Sequence, residues 1–239
     1  MSNSKTVEYK EELFNIIHDL SLINNSIIFL KSEEKDKVLV KRRDIEQSLV
    51  YILEAPIDYF NFPTDDVSFY SYNDFYQYFK AFEKPEIKID DSKIYILEDN
   101  SKVDYILSNK ESIAKEGSVN NVKFGNADIK FSLTANDLDE LVKMSSLLKA
   151  QRAKLTVKDD SVSIRLFNNR HDNSFEKIFK IEKLTDFSGT IDFVIFSDAF
   201  NKIPQKKNYT IEIKKEGYIK IHLDNENINL SIYTGSVKN

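Results

Sequence analysis

The sequence predicts an α+β fold in which one unit, two helices packed on antiparallel sheet, occurs twice. Three observations predict it. Most apolar runs alternate with polar residues at the two-residue period of a half-buried strand, as in Ile87–Ile89, Ile94–Ile96 and Ile211–Ile213. Only two stretches in each half keep the spacing of a helix. Matching elements of the halves also stand a near-constant distance apart. The offset is 126 residues from Leu49 to Phe175, 124 from Val67 to Ile191, Phe75 to Ala199 and Pro85 to Tyr209, and 126 from Val103 to Asn229. This is a repeat of pattern rather than of residue identity, with a period of about 120 residues.

In order along the chain, Tyr9, Leu13, Ile16, Ile17 and Leu20 recur at helical spacing and predict a helix over 7–21, ended by Asn24-Asn25. Strands follow at Ile27–Lys31, Lys37–Arg42, Leu49–Leu53 and Val67–Tyr70, with Pro56 and Pro63 marking an irregular connection. Phe75, Tyr78, Phe79 and Phe82 form the stripe of a second helix over 72–82, with Asn73, Gln77, Lys80 and Lys84 on its other face. Glu86–Ile89, Ile94–Leu97 and Val103–Leu107 close the first unit, 1–108. Residues 109–127 lose periodicity and read as a connector. The second unit, 128–239, starts with a strand at Ile129–Leu133. Thr134 is then the N-cap of a helix whose inner stripe is Leu138, Leu141, Val142, Ser145 and Leu148. Strands are expected at Lys154–Val157, Val162–Phe167, Phe175–Ile181 and Ile191–Phe196, and a short helix over 197–203 ending at Pro204. Strands at Tyr209–Lys214, Tyr218–Leu223 and Ile228–Tyr233 complete the unit.

Composition narrows the function. Among 239 residues there is no cysteine, which removes disulfide, thiol and Cys-ligated zinc chemistry and makes a reducing cytoplasm the natural setting. The five glycines are too far apart for a phosphate-cradling loop. No apolar run is long enough to span a membrane, and the start is polar, unlike a signal peptide. The three histidines, His18, His171 and His222, are scattered. Asp90-Asp91-Ser92 and Asp159-Asp160-Ser161 sit between strands, where turn chemistry explains them, and Asp65-Asp66 carries no stronger signal of a metal. No cofactor, metal or catalytic constellation is therefore expected, and the chain does not read as an enzyme.

Net charge is −5, from 34 basic and 39 acidic residues, but it is uneven: −8 over residues 1–100 and +3 over 101–239. Lys5 and Lys10 are placed at the first helix and Lys80 and Lys84 on the second. Lys143, Lys149 and Arg152 belong to the first helix of unit two, and Lys202, Lys206 and Lys207 lie on and after the last. Any one of these is as readily a solvated helix face; their shared placement is what singles out the group.

Two stretches resemble the sliding-clamp family. The run Leu22-Ile23-Asn24-Asn25-Ser26-Ile27-Ile28-Phe29-Leu30-Lys31-Ser32 is similar to the segment I-N-x-x-I-x-L-K-S of DNA polymerase processivity clamps of large tailed bacteriophages. Thr134-Ala135-Asn136-Asp137-Leu138 through Leu147, followed by Leu155-Thr156-Val157, is similar to the helix and strand of the clamp's second domain. The element order agrees over nearly the whole chain with these proteins, which are like proliferating cell nuclear antigen.

The resemblance implies a homotrimeric ring of six similar domains, with helices lining a hole for duplex DNA of any sequence. The ring tethers a DNA polymerase, and a separate ATP-driven clamp loader opens it. On this reading the ten basic residues above face DNA. Val103, Tyr105 and Leu107 of one copy meet Phe175, Ile178 and Phe179 of the next, and a partner peptide docks near Val119, Val122, Phe124, Ile203, Pro204 and Tyr233. Two other readings stay open: a monomeric processivity subunit that holds DNA on a basic face, and a phage structural or adaptor protein with no DNA role. The acidic balance speaks against the first, because a monomer without topology needs strong phosphate contacts.

Overall fold

In a computed structural model, residues 4–44, 48–114, 122–168, 171–185 and 189–237 are described. Unit one runs β1 (Lys5–Val7), α1 (Glu11–Leu20), β2 (Ile27–Lys31), β3 (Lys37–Arg43), β4 (Leu49–Pro56), β5 (Asp66–Phe69), α2 (Tyr72–Lys80), β6 (Glu86–Ile89), β7 (Lys93–Glu98) and β8 (Ser101–Ile106). A five-residue helix, α3 (Lys110–Ala114), opens the connector. Unit two runs β9 (Ile129–Leu133), α4 (Ala135–Leu148), β10 (Arg152–Lys158), β11 (Ser161–Asn168), β12 (His171–Lys180), β13 (Glu182–Lys183), β14 (Thr190–Phe196), one 3-10 turn (Ser197–Ala199), β15 (Tyr209–Lys214), β16 (Tyr218–Leu223) and β17 (Asn229–Gly235). Contacts cluster into two units, residues 1–45 with 51–119 and 227–229, and residues 46–50 with 120–226 and 230–239.

The repeat is one of topology. Unit one holds the hydrogen-bonded orders β4-β3-β2-β5 and β1-β6-β7-β8; unit two holds β12-β11-β10-β14 and β9-β15-β16-β17, with the two residues of β13 added beside β9. Each order in one unit thus has its counterpart in the other. Every pairing whose register is resolved is antiparallel.

Four elements differ from the sequence expectation: α3 falls in the stretch read as a connector without periodicity, β13 was not expected, and two others change form. Lys5–Val7 is a strand paired with β6, and Tyr9 bridges Phe60, so α1 starts at Glu11 and not at Val7. This strand is the counterpart of β9 and completes the repeat at its start. The expected helix over 197–203 is a single 3-10 turn. Ala199, Phe200 and Ile203 are buried at helix-like spacing, but the amide of Gln205 donates to the carbonyls of Phe200 and Ile203 (3.1 and 2.6 Å) in place of a continuing ladder.

Apolar faces close each core. α1 buries Leu13, Phe14, Ile16, Ile17 and Leu20, and α2 buries Tyr72, Phe75 and Phe79. Phe14 meets Phe60, Phe75 and Phe79 edge-on at 5.1–5.6 Å, the geometry aromatic rings favour. In unit two, Leu138 and Leu141 of α4 are buried, and Thr134 and Asp137 form a reciprocal capping box. The buried guanidinium of Arg42 donates to the carbonyls of Ser26 (2.6 Å) and Ile113 (3.2 Å), which ties α3 to unit one.

Candidate nucleic-acid interface

On unit one the exposed faces of α1 and α2 are laced together by polar contacts. Tyr76 donates to Asn15 (2.6 Å), His18 pairs with Asn73 (3.1 Å) and stacks on Tyr76 (4.0 Å), and Lys80 meets Glu11 at 2.6 Å. The hydrogen bond that Lys80 donates to Glu11 holds its ammonium pKa above the ordinary range, and the pair is half exposed. Lys10 is engaged likewise, 2.7 Å from Asp58 and 4.0 Å over the Tyr59 ring. Lys5 is on β1 rather than on a helix. It and Lys84, in the turn after α2, are exposed without an ion pair among the described residues.

Unit two is different. Lys177 of β12 reaches Asp137 (2.8 Å) and Glu140 of α4. Burial works against the charge of Asp137, but Lys177 and Thr134 outweigh it and keep the carboxyl below the ordinary range. Two of the helix's three acids are thus compensated from below. Lys143 and Lys149 stay exposed, with no ion pair among the described residues. Lys149 caps α4 in the left-handed region (φ 48°), and Asn168 donates to its carbonyl (2.8 Å). Lys206, also exposed, has φ 59°. Left-handed backbone costs an ordinary residue about 1–2 kcal/mol and favours glycine or asparagine. Lysine persists at both positions, although Lys35 in the β2–β3 turn shares the conformation without a place in the group.

The segment after α4 is tied to the 3-10 turn: the Ser197 hydroxyl donates to the Ala150 carbonyl (2.6 Å) and the Ser197 N–H to that of Gln151 (3.3 Å). This sets the segment between Lys149 and Arg152 against Ser197, where the stretch that carries Lys202, Lys206 and Lys207 begins. None of those three lies on a helix. Arg152 stacks over Phe196 (4.2 Å), Lys202 pairs with Asp198 (2.8 Å), and Lys207 is half-buried.

Among the described residues six strands have a single hydrogen-bonded neighbour: β1, β5, β8, β12, β13 and β14. Three are two to four residues long. On the open side of β5 the Ser108 N–H bonds Ser68 (2.9 Å), and Val237 does the same for Val194 of β14 (2.7 Å). β8 and β12 remain as long uncovered edges. Val103, Tyr105, Leu107 and Phe175 are half-buried, Ile178 is 68% exposed, and Phe179 turns into its own core against Phe131 (5.2 Å). Sequence reasoning missed Ile106, 70% exposed on β8. The strict alternation of Val103, Tyr105 and Leu107 pointed inward and passed over the residue between.

Of the expected peptide site, Phe124 and Tyr233 come together (rings 6.0 Å apart), with Lys214 6.0 Å from the Phe124 ring and Val122 half-buried. Ile203 and Pro204 are buried, and the Pro204 carbonyl accepts from the Tyr209 hydroxyl (2.6 Å). They have little surface to offer a peptide. Val119 lies outside the described residues. Among the described residues no three His, Asp or Glu side chains are placed to hold a metal, and no helix is long and apolar enough to cross a membrane.

The double two-sheet topology has a match in solved structures. Proliferating cell nuclear antigen from Entamoeba histolytica superposes with a TM-score of 0.76 over 100% of both chains, at 12% identity. The chain has the sliding-clamp fold. The Thermococcus kodakaraensis protein gives 0.73 at 10% identity, over 97% of this chain and 99% of that one. The A. fulgidus protein, in a structure with the C-terminal region of FEN-1 bound to it, gives 0.72 at 10% identity over 99% of each. No protein-family model and no curated protein sequence matches the chain. At these identities the likeness is one of clamp architecture, carried by strand order rather than by shared side chains.

Proposed function

We propose that the chain is a sliding clamp: a non-enzymatic scaffold, three copies of which close a ring around duplex DNA and tether a DNA polymerase to its template. The observation that carries this reading is the clamp fold over the full length of the chain, with one long uncovered edge strand in each unit. Two unlike edges, one per unit, join copies head to tail, and such contacts form a ring where the rotation closes. A separate ATP-driven loader opens the ring, in keeping with a chain that has no phosphate-binding loop of its own.

The charge supports retention by enclosure. A net charge of −5 disfavours strong phosphate binding, and each phosphate neutralised adds to the hold and opposes sliding. Lys143, Lys149 and Lys206 of unit two, exposed and without an ion pair among the described residues, supply a thin basic lining that reads no sequence. In unit one Lys10 and Lys80 are already paired, and Lys5 and Lys84 are exposed without an ion pair among the described residues. Partner proteins dock by short peptide segments, the C-terminal region of FEN-1 being bound to the A. fulgidus protein, and the Phe124–Tyr233 pair is the anchor proposed here.

The test is the triple variant Lys143→Glu, Lys149→Glu, Lys206→Glu. Its thermal stability should stay close to the parent's while loader-dependent processive synthesis on a primed circular template is lost. Full processivity in the folded triple variant refutes the DNA-facing assignment.

A further inference from the structure

The two uncovered edges carry enough pattern to fix how they meet. β8 turns Val103 and Tyr105 toward its core and Lys102, Asp104 and Ile106 outward; β12 turns Phe175 and Phe179 inward and Glu176, Ile178 and Lys180 outward. In an antiparallel pair, residues directly opposite share a face, so the allowed registers differ by steps of two. We propose that β8 of one copy pairs antiparallel with β12 of a second copy with Ile106 opposite Ile178, Tyr105 opposite Phe179 and Asp104 opposite Lys180. This rests on the ring proposed above and specifies its seam.

In that register the two isoleucines, 70% and 68% exposed in the single chain, cover each other. Lys180, which has no ion pair among the described residues, gains Asp104, whose present partners Lys102 and Lys93 are exposed pairs at 2.9 and 3.9 Å that yield readily. Val103 falls opposite Ile181. Leu107 falls opposite Lys177, whose ammonium is already held by Asp137 and Glu140. Two residues beyond β12, Lys102 falls opposite Glu182, the first residue of β13, which already meets Lys130 (3.2 Å) in an exposed pair.

Neighbouring registers do worse. A shift of two residues one way sets Lys102 against Lys180 and Asp104 against Ile178; the other way it sets Asp104 against Glu182. A shift of four sets Asp104 against Glu176. Like charges directly opposite destabilise a sheet pair. A shift of six gives Lys102 a partner in Glu176, but leaves Ile178 opposite Asn100 and Tyr105 opposite Asn173.

The absence of cysteine makes the register directly readable. Opposite residues have Cα atoms about 4.5–5.5 Å apart, within disulfide reach, and a slip of two residues moves them about 7 Å along the strand. Single-cysteine chains are co-expressed in pairs, their mass checked under reduction, then oxidised and run on a non-reducing gel. Ile106→Cys with Ile178→Cys should give a covalent dimer that neither chain gives alone. Ile106→Cys with Lys180→Cys, Ile106→Cys with Glu176→Cys, Asp104→Cys with Glu176→Cys, and Lys102→Cys with Glu176→Cys should give none. A covalent dimer in one of those four instead overturns the register and leaves the ring standing. Trimeric mass with no covalent dimer in any mixture overturns the pairing of these two strands. Single-chain mass for folded parent and variants alike overturns the ring itself.

Discussion

Replacing Lys149 by glycine should raise stability and weaken the hold on DNA, two effects that a purely structural lysine would not combine. The residue ends α4 at φ 48°. Relief of left-handed strain favours glycine by about 1–2 kcal/mol, and the freedom glycine adds to the unfolded chain returns about 0.5–1 kcal/mol. The net gain is about 0.5–1 kcal/mol. For a chain of this size it corresponds to a rise in melting temperature of about 1–4 °C. The contacts that fix the cap are made by backbone atoms: the Lys149 N–H to Ser146 (3.2 Å), the Ala150 N–H to Ser145 (2.9 Å) and the Asn168 amide to the Lys149 carbonyl. They survive the substitution. The lost cation recurs three times in the proposed ring. If each touches a phosphate, the log–log salt dependence of loaded-clamp retention flattens by about 0.9 per contact. Differential scanning calorimetry and the lifetime of loaded clamps on circular duplex at several salt concentrations measure the two effects. A melting temperature that falls, or a salt dependence that does not change, refutes the view that strain is tolerated at this cap for the sake of its charge.

Two further substitutions probe the scaffold. The Asp90 carboxylate accepts from the Tyr95 hydroxyl (2.5 Å) and from the N–H groups of Ser92 (2.9 Å) and Lys93 (2.8 Å), which together hold its pKa down to about 2. A depressed carboxylate contributes stability above its unfolded pKa of about 4 and loses it as pH falls toward 2. Asp90→Asn should therefore be less stable than the parent at neutral pH, and the gap should shrink between pH 4 and pH 2; a pH-independent gap in urea denaturation contradicts this. The Tyr51 hydroxyl is buried with no hydrogen-bond partner among the described residues, and burial pushes its pKa up. Tyr51→Phe should be neutral or stabilising by up to about 1 kcal/mol, and a loss above about 1 kcal/mol would show that the hydroxyl has a partner.

Strand alternation and capping chemistry were legible in the sequence. Ile27–Lys31, Glu86–Ile89, Ile129–Leu133, Tyr209–Lys214 and Tyr218–Leu223 have the bounds that alternation predicts, and Thr134 caps α4 as expected. Three residues are too few to show a period, so β1 was invisible, and Tyr9 was read onto a helix it precedes. The run Ala199, Phe200 and Ile203 mimics a helix because a 3-10 turn and the loop after it bury residues at similar spacing. The basic residues were found by type, but their availability was not: that Lys10, Lys80 and Lys202 are paired depends on Asp58, Glu11 and Asp198, and the first two contacts span long stretches of chain. Of the proposed seam, the resemblance named the two strands, whereas the outward residues Asp104, Ile106 and Lys180 entered the proposal only once both strands stood as open edges among the described residues.

The account turns on assembly, and the mass of the particle in solution tests it most directly. With a chain of 27.8 kDa, native mass spectrometry at micromolar concentration should find a particle of three chains, about 83 kDa. A stable, folded particle of one chain would contradict enclosure of DNA and return the acidic charge to its plain meaning, a protein with little hold on nucleic acid.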